Sequence, residues 1–300
     1  MDKVSPVAES PNPSAFKRRP PRPAGGASLK LCVVSDLHLG WAGVGRETGF
    51  HREFLHDLSS MPDVDLLVLN GGINGRGLET YPLVQDELIA KLKCHSYYVS
   101  GASEAQTPET LQKYFEISGR PLDGVLFLRG IRMVFLGTST FGHEVPIEPA
   151  RVERLSRALA EDSSTTIIFH PLPLADSVCH SWDYLGRTPG EQPFNTRVPD
   201  AQPIRDILQG HPEVKLWVSG HTRAKHSEVD RFGNGTTRLE EQCLHVSVCN
   251  LGNKSPSPEG RFILVEQDRV IVRTRNFLRR EWIEEQTYEL PGKTTLSPRI

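Results

Sequence analysis

Asp36 and His38 stand one residue apart at the end of an apolar run, Leu31-Cys-Val-Val-Ser-Asp-Leu-His-Leu-Gly40. A carboxylate oxygen and an imidazole nitrogen at that spacing can face one cation. On its own Asp-x-His is a weak signal. It gains weight because two further apolar runs also end in histidine, at Phe169-His170 and Gly220-His221. In open α/β sheets ligands sit beyond the carboxyl ends of the strands, so residues far apart in sequence can meet there.

The elements that would position these residues are legible as apolar runs bounded by glycine, proline or polar residues. Strands are expected at 29–36, 65–70, 95–100, 165–170 and 215–221. Helical spacing appears at 50–58, 81–92 and 149–160, and a shorter helix is expected at 204–208. Thr107 is an N-cap candidate for a helix reaching Phe115, with Pro108 in the first turn. Residues 124–128 and 131–137 read as a hairpin turning at Arg129-Gly130. After residue 244 the chain becomes a meander of strands. The alternation of strands and helices predicts an α/β architecture with parallel strands. One domain over 29–290 is expected, preceded by a Pro-rich tail over 1–28 that reads as disordered and followed by a short tail over 291–300. Residues 171–202 form a long Pro/Gly-rich loop holding Trp182, Tyr184 and Phe194, more suited to packing on the body than to stacking on a base.

Composition excludes several classes. With 35 basic and 37 acidic residues among 300, the net charge of -2 leaves no excess to neutralise a phosphate backbone, which argues against a nucleic-acid binder. No apolar run approaches the roughly 18 residues that would span a bilayer. The five cysteines never form Cys-x-x-Cys, and the N-terminal segment lacks an apolar leader core. A cytoplasmic location is the expectation.

With these strand ends in view, the chain resembles the calcineurin-like metallophosphoesterases over roughly residues 30 to 275. That family's pattern is Asp-x-His, then Gly-Asp, then Gly-Asn-His-Asp/Glu, then a lone His, then Gly-His-x-His. The corresponding stretches here are Asp36-Leu37-His38, Gly71-Gly72, Gly101-Ala102-Ser103-Glu104, His170 and Gly220-His221-Thr222-Arg223. The Gly137–Leu159 spacing and the Gly-His-Thr stretch look most like the branch containing class III cyclic-nucleotide phosphodiesterases. The resemblance implies a four-layer sandwich, two mixed β-sheets flanked by helices, and in intact members metal-dependent phosphoester hydrolysis.

Carried over residue by residue, the resemblance leaves each metal site with two protein ligands. The first keeps Asp36 and His38 but has Arg223 where another histidine belongs. The second keeps His170 and His221 but has Ala102 for its asparagine. Gly72 replaces the carboxylate that would bridge both ions, and Ser103 replaces the histidine that protonates the leaving group. Two divalent ions roughly 3.5–4 Å apart need an anionic bridge. Arg223 would add a fixed positive charge, and a serine does not titrate near neutral pH.

Ordinary two-metal catalysis is therefore not expected, and no cofactor is expected. The reading is a pseudo-phosphoesterase that binds or scaffolds, with a protein partner by fold-level analogy. Two alternatives stay open. One is a hydrolase using a single divalent ion (Mn, Fe or Zn) held by Asp36, His38, His170 and His221. The other is a metal-free phosphate or nucleotide sensor, with Arg223 pairing with Asp36 and serving as the phosphate-binding candidate. His226 is expected to be a solvated loop residue rather than a substitute ligand. Glu104 is expected to make a structural hydrogen bond. His51, His143 and His180 are expected to be surface or satisfied residues, and Arg275, Arg279 and Arg280 a solvated face.

Overall fold

The computed structural model of the chain contains two six-stranded sheets stacked face to face. It describes residues 28–40, 51–75, 77–140, 145–178, 197–222, 226–227, 235–249, 251 and 258–292. Most of the two expected tails therefore falls outside the described residues, as do Trp182, Tyr184 and Phe194 of the long loop.

The first sheet runs in the order β12-β11-β10-β1-β2-β3. Its parallel half is β1 (Leu29–Val34), β2 (Leu66–Asn70) and β3 (Ser96–Val99). Its antiparallel half is the meander β10 (Glu259–Val265), β11 (Arg269–Asn276) and β12 (Glu281–Pro291), joined to β1 through β10. The second sheet runs β4-β5-β6-β7-β9-β8. It comprises β4 (Asp123–Leu128), β5 (Ile131–Leu136), β6 (Thr166–Phe169), β7 (Val214–Ser219), β8 (Thr237–Glu240) and β9 (Cys243–Ser247). Here β5, β6, β7 and β9 are parallel. These are the two mixed sheets that the family resemblance implies.

Alternation along each strand sorts side chains between layers. Leu31, Val33, Val68, Phe135, Phe169, Leu216 and Val246 fill the layer between the sheets. Cys32, Val34, Leu67 and Leu69 face α1 (His51–Ser59) and the helical run over 78–91. Trp217, Ile168 and Val134 face α3 (Pro149–Ala160) and α4 (Gln202–Gly210). Each fully buried large apolar side chain contributes about 1.5–3 kcal/mol, so three such layers dominate stability. Among the described residues no helix is long and apolar enough to cross a membrane.

Local signals explain several boundaries. Thr107 caps α2 (Pro108–Ser118), its hydroxyl accepting from Thr110 N at 3.2 Å while Thr107 N donates back to the Thr110 hydroxyl. Arg129 and Gly130 both have positive φ, 51° and 80°, the twist that a two-residue hairpin turn requires. The expected helix over 81–92 is instead a broken run: 3₁₀ at Leu78–Thr80, α at Tyr81–Leu83, π at Val84–Leu88 and 3₁₀ at Ile89–Lys91.

Three buried arginines brace the layers. Arg132 donates to Ala158 O (2.7 Å), a carbonyl that α3 leaves open in its last turn, and to Asp162 O (3.1 Å) just beyond the helix. Arg261 projects from β10 and donates to Ser247 O (3.3 Å) and the Thr237 hydroxyl (2.8 Å), tying one sheet to the other. Arg275, expected on a solvated face, is buried and grips Asp57 of α1 through two bonds of 2.7 and 2.8 Å. The charge run concealed this because the alternation of β11 turns that side chain under α1.

Candidate functional site

Ser35 and Asn70 follow the apolar runs of β1 and β2 and close the layer between the sheets at its upper end. The Ser35 hydroxyl reaches Val248 O at 3.3 Å, and the Asn70 amide donates to His170 O (3.2 Å) and Val218 O (3.3 Å). One sheet's strand ends are thus fastened to the other's. The loops beyond β2 and β3 then meet backbone to backbone, and the Pro171 side chain beyond β6 packs on the first of them. A Cβ on Gly101 would lie 2.8 Å from Gly71 Cα, and one on Gly71 would lie 2.9 Å from Pro171 Cβ. Only glycine allows this approach.

Asp36 sits at the centre, 1% exposed. Its Oδ2 accepts from the Ser35 hydroxyl and from His221 N, both at 2.7 Å. Its Oδ1 faces His221 Nδ1 at 3.3 Å and His38 Nε2 at 3.5 Å. Burial alone would push this carboxyl up, but the contacts from His221 and His38 outweigh it and hold the group well below the usual carboxylate range. Asp36, His38 and His221 all adopt left-handed backbone, with φ of 54°, 47° and 64°. Such conformations cost about 1–3 kcal/mol each in a non-glycine residue and concentrate at functional sites. The structure therefore brings three of the four candidate ligands together around one carboxylate.

His170 is oriented differently. Its Nδ1 lies 2.8 Å from Leu172 O and 3.0 Å from Leu172 N, so that edge of the ring is turned into its own loop. Burial pushes its pKa down to about 4, which keeps the ring neutral near pH 7.

Gly72 has φ of 66°, and a Cβ placed there would stand 2.7 Å from Asp36 Oδ1. Ala102 offers no polar side chain, and the Ser103 hydroxyl donates to Glu104 Oε1 at 3.2 Å. Among the described residues no group of three or more His, Cys, Asp and Glu is arranged to hold a metal ion. The donor chemistry gives the reason: Asp36 turns both oxygens toward Ser35, His38 and His221, and among the described residues no second carboxylate stands beside it. The described residues do not fit a pair of divalent ions.

Glu104 makes the structural bonds expected of it, and more of them. Fully buried, it accepts from Gly101 N, Gly72 N, Ile73 N, Asn74 N, the Tyr98 hydroxyl and the Ser103 hydroxyl, at 2.8 to 3.2 Å. His226 proves to be neither a solvated residue nor a partner of Asp36. It is 3% exposed, its Nδ1 lies 2.8 Å from Glu259 Oε2, and its Nε2 accepts from Cys249 N at 3.1 Å. Arg223, His143 and His180 lie outside the described residues, as does the side chain of His51. The fastening roles of Ser35 and Asn70 were not anticipated. The available signal was a polar residue replacing the next inward-facing apolar one in each strand.

The order and direction of the strands, with the candidate residues gathered at their carboxyl ends, are those of the calcineurin-like metallophosphoesterase fold. A dimetal phosphatase from Danio rerio superposes with a TM-score of 0.61 at 11% identity, covering 88% of this chain and 99% of that one. GAP50, the anchor in the inner membrane complex of Plasmodium, superposes with a TM-score of 0.62 at 13% identity, covering 89% of each chain. Identities this low establish a shared fold and nothing about activity. No protein-family profile matches the sequence, and no curated protein is similar to it in sequence.

Proposed function

We propose that this protein uses a metallophosphoesterase scaffold to bind a protein partner rather than to hydrolyse phosphoesters with a metal pair. The observation that carries this reading is the position of Gly72. A bridging carboxylate would have to leave the backbone there, where its Cβ would stand 2.7 Å from Asp36 Oδ1 and 3.0 Å from Asp36 Cα, so Asp36 would have to shift to admit it. Without an anionic bridge, two divalent ions a few ångströms apart repel each other strongly. Asp36 is also committed to its own neighbours, with contacts of 2.7 Å to Ser35 and to His221 N.

Use of this scaffold for binding has support in GAP50, described as an anchor, although that likeness extends only to the fold. A reducing, cytoplasmic setting agrees with the free thiols of Cys32, Cys94 and Cys243. The test is hydrolysis of bis(p-nitrophenyl) phosphate by the full chain, with and without added manganese. The reading expects no turnover above a buffer control in either condition. Manganese-dependent turnover that disappears in His38→Ala or His221→Ala would replace it with the one-ion hydrolase.

A further inference from the structure

Six donors converge on the carboxylate of Glu104, yet it faces the underside of the loop that carries Gly72. Three successive peptide groups of that loop lie between Glu104 and the backbone of residues 36–39. In the first, Gly72 N donates to Glu104 Oε2 at 3.0 Å while Gly71 O accepts from Asp36 N at 3.0 Å. In the second, Ile73 N donates to Oε1 at 3.0 Å while Gly72 O accepts from His38 N at 2.9 Å. In the third, Asn74 N donates to Oε1 at 3.1 Å while Ile73 O accepts from Leu39 N at 2.9 Å. Each amide plane is held from both edges.

We infer that Glu104 is the positioning residue of the cavity, its buried charge setting, through these three peptides, where Asp36 and His38 stand. The physical basis is polarisation. An ionised acceptor strengthens the N–H bond it receives, and an amide polarised at its N–H becomes a better acceptor at its carbonyl. Three amides acting in parallel then fix a segment in which Asp36 and His38 both occupy left-handed backbone. Left-handed residues persist only where the surroundings over-determine them. The carboxylate also explains how Gly72 can hold φ of 66° against Asp36, because its N–H is anchored below. Gly101 N, at 2.8 Å from Oε2, joins the β3 loop to the same point.

The inference rests on the metal-free reading above, since it assigns to one carboxylate the fixing of loops that a metal pair would otherwise share. The test is amide hydrogen exchange and imidazole ¹H–¹⁵N spectra on the full ¹⁵N-labelled chain, wild type against Glu104→Gln, each with and without EDTA. Gln is nearly isosteric but turns an NH2 group toward amides that need an acceptor. The expected result is that E104Q accelerates exchange at Gly72, Ile73, Asn74 and Gly101 by about tenfold or more. It also shifts the Asp36, His38 and Leu39 amide signals and the His38 and His221 ring signals, while the amides of β6 and β7 keep their wild-type rates. A purely local role would leave the residue 36–39 signals and the rings unmoved, and that result overturns the inference. Should E104Q not fold, wild type decides. Exchange at those four amides as fast as at exposed loop amides counts against Glu104, and strong protection supports it. Protection that collapses on adding EDTA to wild type counts instead against the metal-free reading.

Discussion

Asp36 Oδ1 lies 2.7 Å from the point where a side chain would leave Gly72. A side chain at position 72 and the Asp36 carboxylate would therefore compete for one space. The Asp36 carboxylate faces Ser35 and His221 N at 2.7 Å each and His38 at 3.5 Å. A cavity arranged this way keeps its shape with internal hydrogen bonds and ion pairs. That relationship orders the expectations below.

An acid placed at position 72 is not expected to create a metal centre. Gly72→Asp places a Cβ against the Asp36 carboxylate and forces a non-glycine residue to φ of 66°. The backbone term alone amounts to roughly 1–3 kcal/mol of lost stability. Urea denaturation should show a lower midpoint with an unchanged m-value. A variant as stable as wild type that takes up two manganese ions would contradict this geometry.

Asp36→Asn removes the charge while keeping the shape. The amide oxygen can still accept from the Ser35 hydroxyl and His221 N, while the NH2 group takes the place of Oδ1 beside His221 Nδ1 and His38 Nε2. Hydrogen bonds to a charged group contribute about 1.5–3 kcal/mol against about 1 for neutral ones, so the thermal midpoint should fall by the loss of the charge. Phosphodiester hydrolysis should stay at the level of a buffer control, as in wild type. An enzyme relying on Asp36 as a ligand would instead lose measurable turnover.

Acid should weaken the fold well above the carboxylate range. Burial pushes His170, His226 and His245 each down to about 4, although Glu259 beside His226 and Glu240 beside His245 oppose the shift. In the unfolded chain these rings titrate near their ordinary value of about 6.5. Between those two values the unfolded state binds more protons than the folded one, so stability falls as pH falls through that window. Asp36, held below its ordinary range, adds a further loss as pH drops past about 4. Denaturation midpoints should therefore be level above pH 7 and decline from about 6.5 toward 4. His226→Gln, which keeps a donor toward Glu259 and an acceptor toward Cys249 N, should flatten part of that decline. A midpoint independent of pH across this window would show that the three rings are not buried as neutral groups.

The fold was legible in the sequence wherever a single physical signal decides the outcome. Apolar runs ending in Ser35, Asn70 and His170 became strands whose carboxyl ends share one side of the molecule. Thr107 and Arg129-Gly130 acted as local instructions, the first satisfying an open helix end and the second requiring two positive φ values. What could not be read was the choice of partner. Arg223, offered as a mate of Asp36 in one alternative, lies outside the described residues; the described contacts of that carboxylate come from Ser35, His38 and His221. Nothing in spacing reveals that a carboxylate will accept a backbone N–H from a residue 185 positions away. Arg275 and His226 were missed for the same reason, since burial of a charged or titratable side chain depends on the opposing element. Gly40 packs against the broken run over 78–91, where a Cβ on it would stand 2.8 Å from Leu83 Cδ1.

Metal stoichiometry tests the central claim most directly. The purified chain should be equilibrated with excess manganese or zinc, desalted and analysed by plasma mass spectrometry, alongside anomalous diffraction from crystals grown under the same conditions. The expected result is well under one ion per chain and no paired anomalous peaks beside Asp36. Two ions per chain, seen as adjacent peaks between the ends of β1, β2, β6 and β7, would contradict it.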